Sequence, residues 1–93
     1  MEGTVELQAT AKGLVQGVFF RKAVKKQADS VGVKGFVRNL SGGDVQIVAQ
    51  GSKNEIQKFI DKIKTDPGQG RLDDLVLDYR KPKETYHSFN IRH

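Results

Sequence analysis

Apolar residues recur with two different periods along this chain, and the order of the two limits its fold more than any other feature. From Val5 the apolar positions alternate as Val5, Leu7, Ala9 and Ala11. Alternation places them on one face of a half-buried strand. From Phe20 the period becomes helical. Phe20, Ala23, Val24, Ala28 and Val31 share one stripe, while Arg21, Lys22, Lys25 and Lys26 lie mostly off it. Gly32 ends this helix by accepting a left-handed cap. Strands are expected over about Val33–Leu40 and Asp44–Gln50, joined by Ser41-Gly42-Gly43 as a hairpin turn. Ser52 and Glu55 have capping-box spacing and open a helix with Ile56, Phe59, Ile60 and Ile63 on one face. Asp66-Pro67-Gly68 stops it. Leu75, Leu77 and Tyr79 alternate as a fourth strand, and Phe89, Ile91 and His93 as a short fifth.

Two helices with one apolar face each cover one face of a single sheet. The order therefore predicts an α+β, ferredoxin-like split β-α-β sandwich, with a mainly antiparallel sheet of four to five strands. The 93 residues are expected to form one domain, 1–93. The chain has no cysteine, so disulfides, Cys-ligated zinc and a thiol nucleophile are all excluded. It must fold on packing alone. No apolar run approaches the roughly 18 residues that cross a bilayer. Met1-Glu2-Gly3-Thr4 lacks the basic-then-apolar pattern of a secretory leader. The expectation is a cytoplasmic monomer with no membrane partner. Sixteen Lys and Arg against 11 Asp and Glu give a net charge of +5. This steers anions toward the chain without choosing among nucleic acid, lipid surface and phosphorylated metabolite.

The residue inventory narrows the chemistry. There is no G-x-x-x-x-G-K-[ST] loop, no G-x-G-x-x-G and no G-x-S-x-G elbow. His87 and His93 lie near the end of the chain without evident partner ligands, and no metal site is expected. Asp73 and Asp74 are adjacent, so in a strand they face opposite ways and cannot pair as general acid and base. An enzyme built from these residues works without a metal, a cofactor, a strong base or a covalent nucleophile.

One loop remains. Gly13-Leu14-Val15-Gln16-Gly17-Val18-Phe19 runs from the first strand into a helix N-terminus, where backbone N–H groups and the helix dipole favour an anion. Arg21 falls in the first turn, where a cation has the unfavoured sign. A phosphate held in the fork of its guanidinium would account for it. A glycine turn before a helix is also common, and a first-turn arginine commonly reaches solvent. The residues alone leave both readings open.

The string Gly13-Leu14-Val15-Gln16-Gly17-Val18-Phe19-Phe20-Arg21 resembles the acylphosphatase signature G-x-V-Q-G-V-x-F-R at every fixed position. Gly35-Phe36-Val37-Arg38-Asn39 is similar to that family's G-x-V-x-N. Gly43, Val45 and Gln50-Gly51 continue the pattern, and Phe89-Asn90-Ile91-Arg92 resembles its F-x-I-R ending. The resemblance spans nearly the whole chain and departs from the family at Gly42-Gly43, where many members carry Asp-Gly, and over Asp66–Arg71. It implies metal-independent hydrolysis of acyl phosphates to carboxylate and inorganic phosphate, the latter both product and inhibitor. Position by position, it implies that Arg21 binds the phosphoryl group and that N–H groups of Gln16, Gly17, Val18, Phe19 and Phe20 cradle its oxygens. It further implies that Asn39 orients the attacking water.

Two other functions fit parts of the sequence. An RNA-recognition module shares the element order, and Lys34-Gly35-Phe36-Val37 faintly resembles its K-G-F motif. That motif needs paired aromatics on the sheet face, whereas Phe36 stands alone in its segment, so no nucleic acid is expected. A non-catalytic module binding a phosphate ligand is the second, because fold does not fix function.

Overall fold

The first strand, β1 (Val5–Leu14), buries Leu7, Ala9 and Ala11, the residues its alternation marks. The computed structural model describes residues 3–17 and 19–93. After β1 come α1 (Phe20–Val31), β2 (Lys34–Asn39), a short turn at Ser41–Gly43, β3 (Val45–Gly51), α2 (Lys53–Thr65), β4 (Arg71–Arg80) and β5 (Phe89–Arg92). The five strands form one sheet in the order β4-β1-β3-β2-β5. All neighbours are antiparallel except β2 and β5, which run parallel. This is the ferredoxin-like α+β arrangement that the two periods predict.

Both helices lie on one face. Phe20, Val24 and Ala28 of α1 and Ile56, Phe59, Ile60 and Ile63 of α2 meet Leu7, Val37, Val45, Ile47 and Ala49 in a continuous core. Phe59 and Phe89 pack edge to face at 5.8 Å, tying α2 to β5. The Ser52 capping box forms as expected: Glu55 N–H donates to Ser52 Oγ at 3.2 Å, and Ser52 N–H to Glu55 Oε1 at 2.8 Å.

The opposite face is partly closed by the segment after β4. Gln50, only 5% exposed, donates through Nε2 to Glu84 O at 2.6 Å and accepts from Tyr86 N–H at 3.0 Å. The same Nε2 reaches Glu6 Oε1 at 2.9 Å, which holds the buried Glu6 carboxylate in place. Tyr86 lies edge-on to Phe36 at 5.7 Å, and the Arg92 guanidinium covers the Phe36 ring at 3.7 Å. Phe36 is therefore not alone, as its segment suggests. Its partner comes from fifty residues away, and the stack is already capped, leaving Phe36 only 7% exposed and no bare ring for a base.

Three expectations need correction. Gly13 belongs to β1 and not to the loop after it. It sits at a bulge where the register against β4 shifts between Lys12 and Gly13, leaving Asp73 as the extra residue, bonded to Arg71. Leu77 and Tyr79 are exposed although they alternate with Leu75. β4 is an edge strand paired only to β1, and the helices pack mainly over β2, β3 and β5. The last strand stops at Arg92, leaving His93 beyond it.

Gly35 shows how tightly β2 meets β3. Its φ is +149°, and a Cβ added there would lie 1.9 Å from Val48 O and 2.7 Å from Val48 C. Backbone cannot yield as a side chain would. Gly35→Ala is therefore expected to destabilise the fold by about 3–5 kcal/mol, combining strain and overpacking. Urea unfolding checks this, and a loss below about 1 kcal/mol would refute the close approach.

Candidate active site

The loop between β1 and α1 is short because β1 runs on to Leu14. Gly17 takes a left-handed φ of 73°, and Phe19, at the N-cap of α1, one of 60°. Left-handed backbone in a non-glycine residue costs on the order of 1–3 kcal/mol and gathers where structure serves a site. The Phe19 ring is 65% exposed and has Lys22 Nζ over it at 5.6 Å. Val18 lies outside the described residues.

The N-terminus of α1 contrasts with that of α2. No side chain caps it, and its first turn holds no acid. Its first N–H groups and the positive end of its dipole face the loop. Arg21 sits in this turn. Its Nη1 donates to Arg92 O at 3.2 Å and lies 3.4 Å from His93 Nδ1. Lys25, one turn on, donates to Phe89 O at 2.8 Å. Two basic side chains of α1 thus hold β5 by its carbonyls. Among the described residues no carboxylate forms an ion pair with Arg21, whose charge stays available.

Arg21 lines a pocket of about 400 Å³ with Val15, Gly17, Phe19, Phe20, Lys22, Ile91 and His93. Two cations and a histidine stand against an otherwise apolar wall. Gly17, Phe19, Phe20 and Arg21 thus line one pocket. Asn39 and Gln16 are not part of this wall. Asn39 ends β2, one register step past the Arg38–Arg92 pair, so it lies beside the end of β5 that Arg21 grips. The Gln16 side chain turns away and bonds the β2–β3 turn. His93 is one of the lining residues that sequence reading missed, with Val15, Lys22 and Ile91. Only the parallel pairing of β5 with β2, between segments 54 residues apart, brings His93 to Arg21.

Fold and pocket together define a class: a small ferredoxin-like protein with a basic pocket between the first β–α loop and the last strand. The acylphosphatase family model matches residues 7–91. An acylphosphatase from Lactiplantibacillus plantarum is 44% identical over 88 residues, covering 94% of each chain. One from Dehalococcoides mccartyi is 34% identical over 88 residues, covering 94% of this chain and 97% of its own. The crystal structure of acylphosphatase from Bacillus subtilis superposes with a TM-score of 0.90 at 30% identity, covering 96% of this chain and 99% of that one. The chain belongs to the acylphosphatase family, hydrolases that act on acid anhydrides.

Proposed function

We propose that this chain, as an acylphosphatase, hydrolyses the carboxyl-phosphate bond of a small acyl phosphate through Arg21, the loop 16–20 and Asn39. The observation that carries the assignment is Arg21, a cation without a carboxylate partner among the described residues, at the uncapped N-terminus of α1. The bond to Arg92 O holds one edge of its guanidinium. The remaining N–H groups are left to grip two phosphoryl oxygens in a fork. The loop N–H groups and the α1 dipole take the rest of the charge.

The chemistry asks for little more. Phosphoryl transfer passes through a loose transition state with charge spread over the equatorial oxygens, so positioning and electrostatics supply most of the catalysis. The leaving group is a carboxylate whose conjugate acid has a pKa of about 4, so it departs without a general acid. A plain phosphate ester would need one. The Asn39 amide accepts from water and orients it in line with the P–O bond. Water adds to phosphorus as the P–O bond to the acyl group breaks, and the bonding pair leaves with the carboxylate. The proton of the water passes to a phosphoryl oxygen. The apolar wall of Val15, Phe19 and Ile91 beside Arg21 accepts the acyl portion.

Steady-state hydrolysis of benzoyl phosphate in EDTA, with p-nitrophenyl phosphate alongside, tests the assignment. Rapid, chelator-insensitive turnover of the first and little of the second is expected. Inorganic phosphate is expected to inhibit competitively, since it occupies the same fork. No turnover by folded protein would leave a non-catalytic phosphate-binding module. A rate unchanged by saturating phosphate would refute the phosphate loop.

A further inference from the structure

Gln16 belongs to the phosphate loop, yet its side chain works elsewhere. Its Nε2 donates to Leu40 O and to Asp44 O, each at 2.8 Å. Both N–H bonds of one half-buried amide therefore go to the turn between β2 and β3. The Asp44 carbonyl also accepts from Leu40 N–H at 2.8 Å, so Gln16 joins the very bond that closes the turn. Leu40 directly follows Asn39. A surface pair between Lys12 Nζ and Asp44 Oδ2 at 2.9 Å adds a second, weaker tie from β1.

Resting on the acylphosphatase chemistry above, we propose that Gln16 is a positioning residue that holds Asn39 in place against the phosphate loop. The two reacting parts arrive on strands that are not neighbours, since β3 lies between β1 and β2. Pairing with β3 reaches Asn39, opposite Val45, and ends there. It does not restrain the turn beyond, where Gly42 and Gly43 have φ of 89° and 101° and add no side chains. The Gln16 amide is the direct link between loop and turn. A displacement of about 1 Å at a water-orienting group can cost on the order of 10²-fold in rate. Two neutral hydrogen bonds at this place therefore matter far more for turnover than for stability, where each contributes about 1 kcal/mol.

The test is a double-mutant cycle in the full chain, read by kinetics on benzoyl phosphate and by the Ki of inorganic phosphate. Gln16→Met keeps the length of the side chain and removes both donors without adding charge. It is expected to lower kcat about 10- to 100-fold while Ki changes by less than about twofold. In the Gln16→Met background, Asn39→Ala is expected to cost less than about tenfold, far below its cost in the wild type, because coupled residues are not additive. Equal costs in the two backgrounds would overturn the proposal. So would a rise in Ki matching the fall in kcat, which would make Gln16 a builder of the phosphate loop itself. If Gln16→Met does not fold, Gln16→Asn runs the same cycle, its amide one methylene too short for the bridge. Absence of wild-type turnover would overturn the catalytic assignment and this inference together. Wild-type turnover with independent effects would overturn this inference alone.

Discussion

Arg21→Ala is expected to lower kcat/KM for benzoyl phosphate by about 10³-fold or more, the scale on which an arginine stabilises a phosphoryl-transfer transition state. The expectation follows from what surrounds Arg21. No carboxylate of the described residues neutralises it, and it shares the pocket with Lys22 and His93. Arg21→Lys is expected to be nearly as damaging. A lysine keeps the charge, but a single ammonium cannot hold Arg92 O and two phosphoryl oxygens in one plane. Stability separates this from a folding defect. The Arg21–Arg92 bond is exposed and contributes on the order of 1 kcal/mol, so both variants should unfold near the wild-type urea midpoint. Retention of a tenth or more of wild-type kcat/KM by Arg21→Ala would remove Arg21 from the chemistry.

Asn39→Ala is expected to reduce kcat by on the order of 10²–10³-fold, as for the loss of one preorganised polar group. Its Ki for inorganic phosphate is expected to stay within about twofold of wild type, because Asn39 is not part of the pocket wall. This split distinguishes a residue that orients water from one that grips phosphate. Asn39→Asp sharpens the test. The side chain is isosteric, yet its carboxylate would repel the phosphoryl group, so phosphate binding should weaken as well. Full turnover by Asn39→Ala would end the water-orienting role.

Much of this was legible because local patterns and tertiary packing agree. The α1 stripe, the Ser52–Glu55 box and the Val5–Ala11 alternation each specify their own structure through contacts within a few residues. The departures have a common cause. Leu77 and Tyr79 alternate as a core strand would, but burial depends on what covers a strand, and β4 lies at the edge. Gly13 reads as a loop residue, but its backbone pairs with a strand nearly sixty residues later. Glu6 and Gln50 are polar yet buried, opposite each other in the β1–β3 register. The segment carrying Glu84 and Tyr86 buries them.

The site divides in the same way. Residue order alone placed glycines, a helix start and Arg21 within one short stretch, because the loop from β1 into α1 is built from consecutive residues. It also put Asn39 inside the strand expected over about Val33–Leu40, and in the structure Asn39 is the last residue of β2. What it could not supply was the meeting of these parts, which depends on sheet order. Parallel pairing of β2 with β5 carries Arg92 and His93 to Arg21, and the Gln16 amide joins the loop to the turn after Asn39. Those contacts span 24 to 72 residues, and no periodicity reports them. They exist only once burial of the common core has selected one register for every strand.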